Sequence, residues 1–371
     1  MRGLLLMDVL VFAAGVAVFL GTWSSVLRTL VVPRGLASRL TATVTKSVRV
    51  AFHFVAARFE SYERKDAILV AVGPVTLLAL LAAWVLLFLA AFTLMFMGAN
   101  GSSAYQAFRE SGASLFTLGN VSTPDPQATV IGFAAAATGL VAVALQIAYL
   151  PTLYGAFNRR ETLVTTLQSR AGAPAWGPEV LARHQIVQTL DNLPAFYAEW
   201  ERWAADVAES HTNYPILITF RSPHPLRSWI VGLLAVLDSA ALHVALNPGA
   251  RQSEARLCLR MGFTSLRDIC ASFGIEYDPD PRPDDPLQLT FQDFLGGIAR
   301  LEAAGYPMER TPEEAWPHFR GWRVNYEGMV YALAAAVEAV PAVWSGPRRH
   351  SLEPMLPQRP PNRQPDAPDA R

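Results

Sequence analysis

The sequence predicts an all-α membrane protein with three transmembrane helices, a re-entrant pore helix with a filter loop, and a mainly α-helical cytoplasmic domain. Of its 371 residues, 51% are hydrophobic and only 17% are charged, which is too apolar for an ordinary soluble chain. Long uncharged stretches recur before residue 158. The segment 104–124 lies between two of them, and it is too polar to span a bilayer and too short to form a domain.

The first uncharged stretch runs from Val9 to Val26. It is long enough for a transmembrane helix, because a span needs about 20 mostly apolar residues. No small-residue cleavage site follows it, so we expect a retained helix within residues 1–27 and not a cleaved secretory signal.

Residues 28–66 connect the first two spans and carry eight Lys or Arg residues against three acidic ones. Their apolar residues recur at spacings of three and four, which predicts a basic amphipathic linker helix. The members of this apolar stripe are Leu40, Val44, Val48, Phe52, Val55 and Phe59. Such a helix either lies on the inner membrane surface, where anionic lipid attracts basic residues, or packs on neighbouring protein.

Residues 67–157 form the predicted pore domain. Ala67–Met97 is the outer helix and Ala128–Phe157 is the inner helix, both uncharged over a length that can cross a bilayer. The predicted pore loop, 103–124, lies between them.

The distribution of basic residues predicts the topology. The loop 98–127 contains a single basic residue, Arg109, against eight in the linker. Because basic loops remain on the cytoplasmic side, we expect a multi-pass protein of the cell (inner) membrane. Its amino terminus would lie outside, its pore loop would enter from outside, and residues 158–371 would lie in the cytoplasm.

Residues 158–344 form the predicted helical cytoplasmic domain. Trp229–Leu246 is apolar enough for a fourth span, but Asp238 and His243 interrupt it, and a central Asp costs about 2.5 to 3.5 kcal/mol on insertion scales. We expect a buried helix here, with a fourth span as the alternative. Tyr214–Phe220 is short and β-branched and is the best strand candidate.

Further apolar periodic runs predict helices at 257–273, 289–304 and 326–340. The tail 345–371 is rich in Pro, Arg and Asp and poor in large apolar residues. We expect this tail to be disordered.

The pore loop has residues that suit a cation filter, since rings of carbonyl oxygens can replace the hydration shell of a cation. Gly119 tolerates the positive φ that such a backbone requires, and the Thr117 hydroxyl offers a further oxygen. A helix from Ser103 to Phe116 would direct its negative carboxyl end towards the pore centre.

The order of outer helix, pore helix, Thr-x-Gly and inner helix resembles the pore domain of tetrameric potassium channels over residues 67–157. Nearly the whole chain also resembles a group of bacterial potassium-channel-like membrane proteins. Three segments carry that second resemblance: AYLPTLYGAF at 148–157, FRGWRVNY at 319–326 and WSGPRRH at 344–350.

In the potassium-channel register the filter comprises Thr117, Leu118, Gly119, Asn120 and Val121. Asn120 stands where those channels have an aromatic residue, and Val121 stands where they have a second glycine. A β-branched residue in a left-handed conformation costs about 1 to 2 kcal/mol per subunit. We therefore expect a shorter filter with weak cation selectivity, or no conduction.

The inner helix contains the candidate gate residues Gly139, Ala142, Gln146 and Pro151. Gly139 is either a hinge or a site of close helix packing. Pro151 favours a kink near the inner mouth. Gln146 either faces the pore or contacts another helix, because a mid-helix amide avoids lipid.

These observations predict a homotetrameric channel for a monovalent cation, with K⁺ as one possibility. The expected partners are the permeant cation, membrane lipids and other copies of the chain, and not nucleic acid. The alternative is a non-conducting sensor or scaffold that kept the channel fold and whose cytoplasmic domain binds a partner. No catalytic, cofactor or metal motif is present in the sequence, so we do not expect an enzyme.

Overall fold

The computed structural model describes residues 2–32, 38–119, 125–348 and 353–358. Within these ranges the chain is helical and forms no β-strand, which confirms the predicted helical class. The helices, in chain order, are α1 Arg2–Leu30, α2 Arg39–Ala56, α3 Tyr62–Leu69, α4 Val72–Asn100, α5 Ala104–Leu115, α6 Pro126–Ala171, α7 Gly177–Ile186, α8 Leu193–Asn213, α9 Trp229–Leu246, α10 Ser253–Phe273, α11 Phe291–Ala303, α12 Pro312–Arg323 and α13 Glu327–Ala336.

The chain divides into two compact units. The first unit comprises Met1–Val55 and Ala71–Gly155, and the second comprises Ala56–Val70 and Ala156–Arg371. The predicted linker therefore does not belong to one unit, because α2 falls almost wholly in the first and α3 in the second. Ser61 separates the two helices by capping α3, where its side chain accepts a hydrogen bond from the backbone N–H of Arg64.

In the part of the chain that the structure describes, four helical stretches are long and apolar enough to cross a membrane: Leu6–Leu30, Tyr62–Asn100, Pro126–Ala171 and Trp229–Leu246. The first three contain the predicted spans. The fourth is α9, and 94% of its apolar window is buried within the chain, compared with 22 to 39% for the others.

The first unit is held together by α1 packed on α4. The ring of Phe19 lies 5.4 Å from that of Phe92, and the ring of Trp23 lies 5.4 Å from that of Phe88. A Cβ at Gly15 would lie 2.7 Å from the Ala91 carbonyl oxygen, so the backbones approach where no side chain intervenes. Small residues commonly permit such close packing between membrane helices.

The second unit is built around α9, in which all residues except His243 are buried. The strand predicted at Tyr214–Phe220 is wrong, because Pro215–Thr219 forms a 3₁₀-helix. The carbonyls of Leu217 and Phe220 accept hydrogen bonds from the side chain of Arg160. The Arg160 side chain thus supplies hydrogen bonds to backbone carbonyls that would otherwise need donors from a neighbouring strand.

The predicted disordered tail is partly ordered. Arg348 is buried, and its guanidinium donates to the carbonyls of Ala339 and Val340, both at 2.7 Å. Further along the tail, Met355 and Gln358 form isolated bridges with Ala342 and Ala173. The expectation of disorder from residue 345 is therefore wrong for 345–348 and 353–358, because a polar, Pro-rich composition does not reveal which carbonyls its arginines will reach.

Candidate functional site

The helix α5 lies in the predicted pore loop and has well-defined ends. Ser103 caps its first turn by accepting from the N–H of Gln106. At the other end, the N–H of Thr117 donates to the Ser114 carbonyl at 3.0 Å, and the N–H of Leu118 donates to the Ala113 carbonyl at 2.8 Å. These two bonds form a Schellman motif, which terminates the helix at its predicted boundary.

The residue in the left-handed position of this motif is Thr117, with φ 54°. Glycine is usual there because a Cβ is unfavourable at positive φ, and a β-branched residue is a strong outlier. Gly119 follows with φ 68°, the conformation that the sequence led us to expect of it. Two left-handed residues within three positions turn the chain sharply just after α5. The backbone strain at Thr117 can persist only if the surrounding structure enforces it, and strained residues of this kind are concentrated at functional sites.

The small residues of α5 fix it against its neighbours. The Ser111 hydroxyl is fully buried and donates to the Leu89 carbonyl of α4 at 3.1 Å. On the other side, a Cβ at Gly139 of α6 would lie 2.1 Å from the Leu115 carbonyl oxygen. The carbonyl group of Leu115, the last residue of α5, therefore packs directly against the α6 backbone at Gly139. Any residue with a Cβ at that position would clash with it.

These two contacts give the depth of α5 along its neighbours. Leu89 lies 11 residues from the end of α4 at Asn100, or about 16 Å at the rise of an α-helix. Gly139 lies 13 residues from the start of α6 at Pro126, or about 20 Å. The carboxyl end of α5 is thus well inside the apolar length of both helices.

A cavity of about 340 Å³ lies beside the end of α5. Polar groups from α5 and the turn line it, namely Glu110, Ser114 and Thr117, and Gly119 contributes backbone. Ala113 of α5 and mostly apolar residues of α4 and α6, including Phe133, form the rest of the wall. The structure therefore brings Thr117 and Gly119 to one cavity, together with Glu110, which sequence reasoning did not single out.

The other predicted site residues are distributed differently. Asn120 and Val121 lie outside the described residues. Ala142 and Gln146 are only 2% and 6% exposed. For Ala142 this does not fit a pore-facing position, and for Gln146 it fits the second of its two predicted positions, against another helix, better than the first. The helix α6 runs without interruption through Pro151, which is exposed.

The burial of Ala142 and Gln146 in the single chain is at odds with a pore-facing position for either side chain. A residue that lines a pore between subunits must be exposed in a single subunit. Ala142 instead belongs to the core cluster that contains Trp84 and Phe88 of α4. Gln146 is buried, and its side-chain oxygen has no hydrogen-bond partner among the described residues.

The second unit contains a fully buried arginine that the sequence did not predict to be structural. Arg323 forms ion pairs with Asp238 of α9 and Glu327 of α13, and it donates to the Trp344 carbonyl at 2.7 Å. The Tyr326 hydroxyl donates to Asp238 at 2.9 Å. The charge that interrupts the apolar α9 sequence is therefore neutralised by Arg323 of the segment 319–326, and the same guanidinium holds the Trp344 carbonyl at the start of the segment 344–350.

A second buried arginine lies just after the predicted inner-helix exit. Arg160 pairs with Glu161 at 2.8 Å and donates to the Leu217 carbonyl at 2.9 Å. Its Nη1 lies 3.0 Å from Nε2 of His211. Since a guanidinium can only donate, His211 accepts through Nε2 and is neutral. Burial, assisted by the charge of Arg160, holds the pKa of His211 well below its usual value.

A third arginine ties α3 into the second unit. Arg221 forms an ion pair with Asp66 at 2.6 Å and donates to the Tyr62 hydroxyl at 2.6 Å. It also donates to the carbonyls of Val337 and Glu338 at the end of α13. The segment that immediately precedes α4 is therefore anchored in the same unit as the segment that follows residue 155.

The described residues include no cluster suited to a metal ion, and neither cysteine is an exposed thiol. No group of three or more His, Cys, Asp or Glu side chains among them is arranged to hold a metal ion. Both cysteines are buried, and burial raises the pKa of Cys258 and raises that of Cys270 to about 12. A thiol with so high a pKa is a poor nucleophile at neutral pH.

Comparisons with protein-family models, with curated proteins and with solved structures find no match to this chain. The resemblance to potassium channels therefore remains a prediction.

Proposed function

We propose that this chain is the subunit of a homotetrameric, cation-permeable membrane channel. The pore domain would consist of α4, α5 and α6 as far as Gly155, and the second unit would be the cytoplasmic part that assembles or gates it. The proposed permeant ion is a monovalent cation, with K⁺ as one possibility.

The observation that carries this proposal is the depth of the carboxyl end of α5. It lies about 16 to 20 Å along α4 and α6 from their loop-side ends, and an apolar bilayer core is only about 30 Å thick. A polar turn containing Thr117 and Gly119 would therefore lie near mid-membrane if α4 and α6 span the bilayer. Irregular backbone is tolerated there only where it is buried in protein or lines a water-filled cavity.

A single copy cannot enclose a pore with one such turn, and four copies related by cyclic symmetry would do so. The α6 face available for lining the pore is the one exposed in the single chain. Val141, Ile147 and Pro151 are exposed and satisfy that condition. We therefore assign the inner pore to this face in place of Ala142 and Gln146.

Current measurements test the proposal. The purified full-length protein, reconstituted in planar bilayers under a KCl gradient, should give step-like cation currents. Gly119→Ala should alter them, because it places a side chain at φ 68° in the filter turn. The matched control is Gly101→Ala in the same unit, where φ is 63° and a Cβ meets nothing within 4 Å.

Both substitutions cost about 1 kcal/mol of backbone strain, so they should affect folding alike. Only Gly119→Ala should change conductance or selectivity. Silence of the wild-type protein under all cation gradients and voltages would refute conduction, and a monomeric mass in nanodiscs would refute the tetramer.

One observation favours the alternative of a non-conducting sensor or scaffold. The carbonyls of Gly112, Ala113 and Ser114 accept bonds from the residues that end α5, and that of Leu115 is packed on Gly139. The carboxyl end of the helix therefore retains less free negative potential for a cation than an open helix end. On this alternative the protein would be tetrameric and silent in bilayers.

A further inference from the structure

We propose that the first unit has a binding site for the phosphate headgroup of an anionic phospholipid, formed by the end of α1 and the start of α2. The site is a cavity of about 360 Å³, and its charged lining residues are Arg28 and Arg39. This inference rests on the membrane placement given under the proposed function, and it does not require that the protein conduct ions.

The lining of the cavity has the chemistry of an anion site. Besides Arg28 and Arg39, the polar residues Ser24, Ser25 and Ser38 line it, and none of its described lining residues is acidic. Neither guanidinium makes a hydrogen bond or an ion pair with another described residue. Arginine is suited to phosphate because its planar fork can donate two parallel bonds to two oxygens.

A buried hydroxyl network holds the walls of the cavity in place. Ser25 and Ser38 share a hydrogen bond of 2.7 Å across the two helices, and the indole N–H of Trp84 in α4 donates to Ser25 at 3.0 Å. Ser38 also caps the 18-residue helix α2 by accepting from the N–H of Thr41 at 3.1 Å. The positive end of this helix therefore adds to the field of the arginines.

The surroundings favour a phospholipid over a soluble phosphate. Large apolar side chains next to the lining residues are exposed, namely Leu20 and Leu27 on α1 and Leu86 on α4. They offer a surface along which acyl chains could lie while the headgroup occupies the cavity. Arg28 also directly follows the apolar part of α1, at the end where the basic linker predicts the inner membrane face.

Lipid binding by the full-length protein in maltoside micelles tests the inference. The probes are dioleoyl phosphatidylglycerol, dioleoyl phosphatidylcholine and sodium phosphate, and native mass spectrometry counts the bound lipids. The wild type should prefer phosphatidylglycerol. The double variant Arg28→Gln/Arg39→Gln should bind it about 30-fold more weakly, since each interfacial basic residue contributes a factor of about five.

Two further variants distinguish binding in the cavity from non-specific attraction of anionic lipid to basic residues. Lys46→Gln/Arg64→Gln removes the same charge from exposed positions outside the cavity and should retain the preference. Ser24→Trp fills the cavity without changing any charge and should lose it, which keeps the test decisive if the double arginine variant does not fold.

Equal loss in the arginine variant and its control would overturn the inference, as would a wild type without preference between the two lipids. Binding of sodium phosphate with no preference for phosphatidylglycerol would assign the cavity to a soluble phosphate and overturn the lipid site. Lipid binding in a protein that is silent in bilayers would support this inference while the channel proposal fails.

Discussion

Replacement of Gly139 by alanine should destabilise the protein, because the new Cβ would lie 2.1 Å from the Leu115 carbonyl oxygen. Contacts of a Cβ below 3.0 Å essentially do not occur, so α5 and α6 would have to separate by at least about 0.9 Å at this point. Forcing extra atoms into a packed contact costs about 1 to 3 kcal/mol. Alanine in place of glycine in a helix recovers about 0.5 to 1 kcal/mol. We therefore expect a net loss of about 1 to 2 kcal/mol.

The matched control is Gly132→Ala, on the same helix and also facing α5. A Cβ there would meet only the Ser114 hydroxyl, at 3.4 Å, which is ordinary contact, so the variant should be neutral or slightly stabilised. Unfolding of the purified protein by increasing SDS in mixed micelles gives the free energy of unfolding for both variants. The predicted difference between them is about 2 kcal/mol.

The result also decides between the two interpretations of Gly139. If Gly139 is a hinge, Gly139→Ala should leave the free energy of unfolding unchanged and alter the gating of any current. Close packing predicts lower stability, with the Thr117 turn displaced. If Gly139→Ala were as stable as Gly132→Ala, the packing interpretation would be refuted.

Three further predictions follow from buried polar groups. Gln146→Leu should leave the free energy of unfolding unchanged or raise it by about 1 kcal/mol in the SDS assay, because a buried unsatisfied oxygen is removed; a loss of more than about 1 kcal/mol would show that the amide has a partner. The depressed pKa of His211 means that only the unfolded state gains its proton between that pKa and about 6.5. Stability should therefore fall as pH drops below about 6.5, by up to about 1.4 kcal/mol per pH unit from this residue. His211→Gln should lose that part of the slope in thermal melts across pH 5 to 8, and an unchanged slope would contradict the assignment. Arg221→Met should destabilise the protein by about 3 to 5 kcal/mol, because it leaves the carboxylate of Asp66 buried without its partner. Adding Asp66→Leu to that variant should restore part of the loss, and strictly additive losses would show that the two residues are not coupled.

Local sequence patterns predicted those features that depend only on neighbouring residues, such as helix limits and a glycine at positive φ. Trp229–Leu246 was predicted as a helix with the bounds that the structure gives it, because an apolar run of that length has few other conformations. Ser103 and Phe116 were the expected limits of the short loop helix, and they are its caps. Glycine at 119 was expected at positive φ for a stereochemical reason, and it is found there.

Contacts between distant parts of the chain were not predictable in the same way. The partner of Asp238 is Arg323, 85 residues away, and no local period indicates that pairing. The burial of Ala142 was not predictable, and the two positions considered for Gln146 could not be separated, because helical periodicity defines faces without showing which neighbour covers each one. Thr117 in a left-handed position was not expected, since intrinsic preference assigns that position to glycine.

The set of residues that pack together in the second unit constrains the number of membrane spans more strongly than hydropathy does. Hydropathy alone makes α9 as good a span as α1, and a fourth span would separate parts of the chain that the second unit holds together. Asp66, just before α4, is paired with Arg221 at 2.6 Å, and Arg160, just after residue 155, is buried in the same unit. In the topology that we propose, the second unit lies on one side of a bilayer, and α4 and α6 then have to cross as a pair that begins and ends on that side. The basic residues of the linker predict that this side is the cytoplasm.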